Sequence, residues 1–435
     1  MTQRRFSVAR ARAFAEANPN VPEAIAAFAI KLVGAALSFA FSFLVARFLG
    51  AAVTGRFALT LTTATVASTV AMVGLDYLLL RTMAGSVRAG DTGRARGISR
   101  AATRIAMPAA ILVGLALGLG GDALLNGVLG IGLDNGLILV AAIAVLPTTF
   151  NRLAISSLRG TGRVLAAQLL DGPLAMLMAV AILCGFLLSR TAIAASGVSL
   201  LYFGMAALSS LAAWRLYAVA ARGWAPAVAF PARPMLNQGW KISFIILSRM
   251  LLDWVVLLGL GAYGSVTEVG HFRTAWQITS LIALVVTTFD TVTGPRVASA
   301  WAVGRVDEIR KITRQAILTM LVLSSPLLVL TLVFPEFVLG LFGAEFVVAA
   351  PALRILALGQ LCNVLAGSLG SVLLMTGEEK WSARLSLAGL VVMVLLSVTL
   401  IPRFGIIGAA LTTSLTILFR NTIYYVVVQR KLRNA

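Results

Sequence analysis

The chain has 435 residues, of which 59% are hydrophobic and only 12% charged, yet its formal net charge is +20. A mean hydropathy of +0.95 excludes a disordered chain and argues against a soluble enzyme, since soluble domains are about 45–50% apolar and about 25% charged. The excess of 36 Lys+Arg over 16 Asp+Glu points to nucleic acid in a soluble protein, but to basic loops on one face of the bilayer in a membrane protein.

Residues 1–24 carry Arg4, Arg5, Arg10 and Arg12 ahead of Pro19 and Pro22. With no short apolar core and small-residue cleavage site, they read as a basic cytoplasmic tail rather than a cleaved signal peptide. Twelve apolar runs follow, at about 25–46, 57–80, 105–125, 137–158, 164–188, 198–218, 241–262, 275–296, 315–338, 349–375, 385–401 and 405–428. Each approaches the ~20 residues a helix needs to cross the hydrocarbon core. They are too long and too uniformly apolar for the ten-residue alternating strands of an outer-membrane barrel. The fold class is therefore an all-α polytopic membrane protein. Pro108, Pro147, Pro173, Pro295 and Pro326 lie in or near spans and are expected to kink them. Cys184 and Cys362 fall inside spans without metal-ligand spacing.

With the N-terminus in the cytoplasm, the inside segments hold 27 basic and 7 acidic residues, the outside segments 5 and 5, and the spans 4 and 4. The whole excess then lies inside, as topology requires, where it meets anionic lipid. It is no evidence for nucleic acid. An even span number returns 429–435 to the cytoplasm as a second basic tail.

The chain repeats itself. Gly50…Gly55-Arg56-Phe57 closes the first span and opens the second; Gly264…Gly270-His271-Phe272 does the same for the seventh and eighth. Gly55 and Gly270 are 215 residues apart, and the same offset maps Arg81 onto Arg296 and Thr161-Gly162 onto Thr376-Gly377. Two parallel six-helix lobes follow, 25–220 and 241–428, joined by a Pro-rich basic linker at 221–240. Parallel repeats are typical of secondary transporters, with the site between halves near the midplane. The basic pairs Arg100/Arg104 and Arg310/Arg314 are 210 apart, so small insertions intervene.

Val45-Ala46-Arg47-Phe48-Leu49-Gly50, Gly55-Arg56-Phe57-Ala58-Leu59, Gly74-Leu75-Asp76 and Arg81 resemble the opening of the polysaccharide-unit flippases, of Wzx type, in the multidrug/oligosaccharidyl-lipid/polysaccharide (MOP) exporter superfamily. Leu341-Phe342-Gly343-Ala344-Glu345-Phe346, Leu353-x-Ile355-Leu356, Thr376-Gly377 and Ile401-Pro402-x-Phe404-Gly405-Ile406-x-Gly408-Ala409-Ala410 resemble its later landmarks. The resemblance covers about 25–428. It implies a V-shaped central cavity and alternating access. It also implies a bacterial inner-membrane location and export of undecaprenyl-diphosphate-linked repeat units for O-antigen, lipopolysaccharide or exopolysaccharide synthesis. Polysaccharide polymerases and glycosyltransferases would be partners.

Intramembrane charges are the site candidates. Lys31 in the first span and Arg249 in the seventh sit at similar depth in repeat-equivalent helices. Facing the cleft, they would attract a diphosphate head; the alternative is snorkelling to the surface. Arg47 and Arg56 bracket the first outer turn and, by resemblance, contact the head group or lock the outer gate; the alternative is anchoring on lipid phosphate. Asp253 is one turn from Arg249 and is either its ion-pair partner or a coupling carboxylate for a proton or sodium gradient. Asp290 and Asp76 are near-equivalents in the eighth and second spans; pairing with Arg296 and Arg81 is one reading, coupling the other. His271, the single histidine, reads as an interfacial residue, and Asp171 as local structure.

A P-loop, HExxH, GxSxG and paired Cys/His ligands are absent from the sequence, so no cofactor or ATPase is expected. A multidrug or organic-cation antiporter and a peptidoglycan-precursor flippase of the same superfamily are the nearest alternatives. A membrane glycosyltransferase or polymerase is the rival from another class, disfavoured by short loops.

Overall fold

The computed structural model describes residues 20–433 apart from 190, 192 and 377, and among these every regular element is helical. The side chains of 20–25 and of several positions within 238–253 and 379–383, Arg249 and Asp253 among them, lie outside the described ones. The first helix, α1 (Asn20–Met72), has 53 residues. At 1.5 Å per residue it would run roughly 80 Å, over twice the hydrocarbon core. It holds two spans because Gly50 turns the chain at φ 84, ψ 175, a backbone region that only glycine adopts freely. The last helix repeats the device: α14 (Glu379–Arg433) turns at Gly405, φ 52.

Between them run α2 (Leu75–Arg88), α3 (Thr92–Asp122), α4 (Asn135–Gly160), α5 (Val164–Leu170), α6 (Pro173–Leu188), α7 (Ala195–Ala220), α8 (Ala232–Tyr263), α9 (Val266–Ala302), α10 (Val306–Val333), α11 (Pro335–Gly340), α12 (Ala350–Ala366) and α13 (Leu369–Met375). Among the described residues nine helical segments are long and apolar enough to cross a membrane. Two of these, α1 and α14, are double helices, and α8 adds a shorter apolar stretch at Trp254–Tyr263 among the described residues. Inside the spans, hydroxyls return to the backbone one turn earlier, as Thr54 does to the Gly50 carbonyl (2.8 Å) and Thr60 to that of Arg56 (2.8 Å). Such local bonds satisfy polar groups that lipid cannot.

The lobes are α1–α7 and α8–α14. In the first, α4 packs against α1, α2, α3 and α7; in the second, α8 and α12 pack on α14 and α9 on α10. The lobes meet where α1 lies on α9 and α8, and α2 on α8. Four boundaries differ from the sequence reading. The second span ends at Met72, where Val73 (φ 47) and Gly74 (φ 67) turn the chain into α2. The fifth breaks at Asp171–Gly172 and the tenth at Gly367–Ser368. Helix α8 starts at Ala232, inside the expected 221–240 linker, directly after Pro231. Non-helical backbone inside long helices falls at Gly50 and Gly405; helix assignment continues through Pro108, Pro147, Pro295 and Pro326, and Pro173 opens α6.

Candidate functional site

The far end of the lobe interface, opposite the basic segments, is closed backbone on backbone. A Cβ on Gly55 would overlap the Val266 carbonyl and stand 2.9 Å from the Gly270 nitrogen. A Cβ on Gly270 would overlap the Ala51 carbonyl and stand 3.0 Å from the Gly55 nitrogen. Ala51 and Val266 are separated by the same 215 residues as Gly55 and Gly270. The sequence repeat is thus a pseudo-twofold crossing of the second span over the eighth. Small residues permit this approach in lipid.

Side chains reinforce the crossing. The Ala51 N–H, at the start of the second span, donates to Glu345 Oε1 in the other lobe (3.0 Å). Phe342, three residues before Glu345, sits against Phe43 (centroids 5.0 Å) and Phe39 (6.0 Å) of the first span. Ser42 Oγ donates to Gln277 Oε1 at 3.4 Å. Losing a carboxylate cap at a helix start costs about 0.5–2 kcal/mol. Glu345→Ala should therefore loosen this end, read as faster thiol labelling of a cysteine placed at Thr54, which is buried beside the crossing.

Toward the basic end the second span stays on α8. Leu59 meets Gly261, Thr69 Oγ1 lies 3.5 Å from Met250 Sδ, and a Cβ on Gly239 would stand 2.6 Å from the Val73 carbonyl. The first span behaves differently. Its aromatic and hydrogen-bonding contacts to the second lobe, at Phe39, Ser42 and Phe43, lie in its far half. Lys31 lies eleven residues below Ser42, roughly 16 Å along the helix, and is exposed.

The predicted charges sort into paired and unpaired. Asp76 does not pair with Arg81. Arg152 of α4 reaches it instead, Nη2 at 2.5 Å and Nε at 3.1 Å, and donates to Thr69 Oγ1 at 2.8 Å. Five residues of helix turn Arg81 away from Asp76, and Arg81 is exposed. Asp171 pairs with Arg159 (2.6 Å), and Arg56 with Asp134 of the far-end loop (3.4 Å). Arg354 pairs with Glu336 (3.0 Å). Lys31 and Arg47 are exposed and enter none of the ion pairs among the described residues. Asp290 stands beside Ser368, not in an ion pair with Arg296, and its Oδ1 is buried without a hydrogen-bond partner. The Arg249–Asp253 pairing lies outside the described side chains. His271 sits edge-on to Phe346 (5.5 Å). No group of three metal-ligating side chains occurs among the described residues.

Two participants escaped the sequence reading. Arg152 looked like one more loop charge, since nothing local ties it to Asp76. Glu345 stood inside a quoted landmark, but its partner is a backbone N–H 294 positions away.

Residues 242–399 match the family model described as MatE. The chain is 26% identical over 233 residues to the probable low-salt glycan biosynthesis flippase Agl15 of Haloferax volcanii, covering 53% of this chain and 49% of that protein. It therefore spans about half the length of this curated relative. Its fold matches an inward-facing multidrug resistance MATE family transporter of the MOP superfamily with a TM-score of 0.73 and 14% identity, over 94% and 98% of the two chains. The lipid II flippase MurJ in an inward closed conformation matches with a TM-score of 0.69 and 12% identity, over 94% and 87%. The fold is the two-lobed helical bundle of MOP superfamily transporters.

Proposed function

We propose that the protein is a flippase for a lipid-linked oligosaccharide, moving an undecaprenyl-diphosphate-linked repeat unit from the inner to the outer leaflet of the bacterial inner membrane by alternating access. Both termini then face the cytoplasm. The observation that supports this reading is the uncompensated positive charge of the first lobe. Asp76 and Asp171 in the first lobe are neutralised by Arg152 and Arg159, while Lys31 is exposed and enters no ion pair among the described residues. A positive first lobe suits a diphosphate. An organic-cation antiporter would call for free carboxylates there. The likeness to a protein named a glycan biosynthesis flippase supports the same choice. A far end closed by Gly55 and Gly270, with Lys31 exposed toward the other end, suits loading from the basic face. Asp290, half-buried with its Oδ1 out of contact with solvent and without a hydrogen-bond partner, is the carboxylate we assign to coupling transport to a proton or sodium gradient.

The test is the intermediate that accumulates when the protein is depleted. Inward-facing lipid-linked repeat units support the assignment; their normal appearance in the outer leaflet refutes it. Charge-assisted contacts are worth about 1.5–3 kcal/mol, so Lys31→Ala should cut export roughly tenfold or more. Lys31→Arg should retain most of it. Full export by Lys31→Ala at normal protein level would remove Lys31 from the site.

A further inference from the structure

A second cluster of cations lies away from the lobe interface. Helix α3 opens at Asp91, whose carboxylate accepts the Arg94 N–H (2.9 Å). Arg96, Arg100 and Arg104 follow at four-residue spacing and so line one stripe of the helix. Across the helix, Gly93 and Gly97 let the 221–231 connection come in close: Val228 N–H donates to the Gly93 carbonyl (3.0 Å), and a Cβ on Gly97 would overlap the Val228 carbonyl. On the other flank Arg96 donates to the Ala221 carbonyl (2.6 Å), and the rings of Trp214 and Tyr217 of α7 pack at 5.2 Å, tilted by 53°. Two hollows result, of about 310 and 180 Å³, and Arg100 lines both. No acidic side chain lines either hollow. Arg100 and Arg104 are exposed and enter no ion pair among the described residues.

We propose that this stripe binds the phosphate head of an anionic phospholipid in the leaflet at the basic end. Guanidinium groups match phosphate oxygens in geometry and charge, and basic pockets at the ends of membrane helices are suited to acidic heads. Depth selects a lipid over a soluble phosphate. Arg104 stands where the apolar run of α3 begins, and indole and phenol rings favour the same interfacial level. Further along the same helices, Leu112 and Leu115 of α3 and Leu208 and Leu211 of α7 are each more than half exposed, which offers apolar surface to acyl chains. In the repeat-related pair, Arg310 is instead engaged with Asp307 and the Leu432 carbonyl, each at 3.4 Å.

Intact-protein mass spectrometry of the full chain, released from micelles holding equal phosphatidylglycerol and phosphatidylcholine, tests this. Each basic residue at the surface is worth about a fivefold change in affinity. Wild type should retain phosphatidylglycerol in preference to phosphatidylcholine. Arg100→Gln/Arg104→Gln should lower that preference roughly 25-fold, while Arg310→Gln/Arg314→Gln, which removes the same charge from the same end, should leave it intact. Millimolar inorganic phosphate should not displace the lipid. Equal retention of the two lipids, equal losses in the two double variants, or displacement by phosphate would each overturn the assignment.

Discussion

Gly55→Val should abolish transport while the protein still reaches the membrane. The added side chain meets the Val266 carbonyl and the Gly270 nitrogen, both backbone atoms of α9. A flexible neighbour could move aside, but helix backbone cannot, so the spans must separate. Overpacking of this kind costs about 1–3 kcal/mol where side chains can adjust, and more where they cannot. A shift of about 3 kcal/mol changes the ratio of two conformations roughly a hundredfold. The far end would then stay open, and alternating access would lose one of its two states. A cysteine at Thr54, with Cys184 and Cys362 replaced by alanine, should react readily with an impermeant thiol reagent in the variant and slowly in its absence. Gly270→Val should behave alike, because the two contacts exchange under the repeat. Normal transport by either variant would show that this crossing need not close.

That crossing shows how far the sequence could be read. The membrane-crossing helical class followed from run length, because a bilayer imposes a minimum helix length and lipid permits no unpaired backbone. The repeat was visible as Gly55 and Gly270, and the fold places these two residues against each other. Their touching was not visible, since an offset says that two positions are equivalent and nothing about distance. Side-chain pairing was the least legible part. Asp76 had a cation five residues on in Arg81, yet its partner comes from α4, 76 positions away. Helix geometry decides which local charges can meet, but only lobe packing decides which distant helix lies alongside. Glycine turns were half legible. Gly50 and Gly405 stand in the family-like stretches of the sequence, but prolines are the residues that announce a kink. The α-helix runs on through Pro108, Pro147, Pro295 and Pro326; positive φ marks the turns at Gly50 and Gly405.

The Asp76–Arg152 pair should prove structural rather than coupled to an ion gradient. Both side chains are mostly buried, at 18% and 21% exposure. Breaking a buried pair costs about 3–5 kcal/mol and an exposed one under about 1, so Arg152→Ala should destabilise the protein by about 1–3 kcal/mol. Asp76→Asn/Arg152→Gln removes both charges together and should recover most of that loss. The coupling energy of the cycle should exceed about 1 kcal/mol, as for groups in direct contact. Thermal unfolding in detergent measures all three variants. Transport separates the roles. If Asp76 only neutralises Arg152, the double variant transports once its stability returns. If Asp76 binds the coupling ion, the double variant folds but does not transport. The geometry favours the first outcome: Arg152 also holds Thr69, and Thr69 touches Met250 of the second lobe. The carboxylate therefore fixes a guanidinium that braces the second span against α8, the contact that must stay in register while the far end opens and closes.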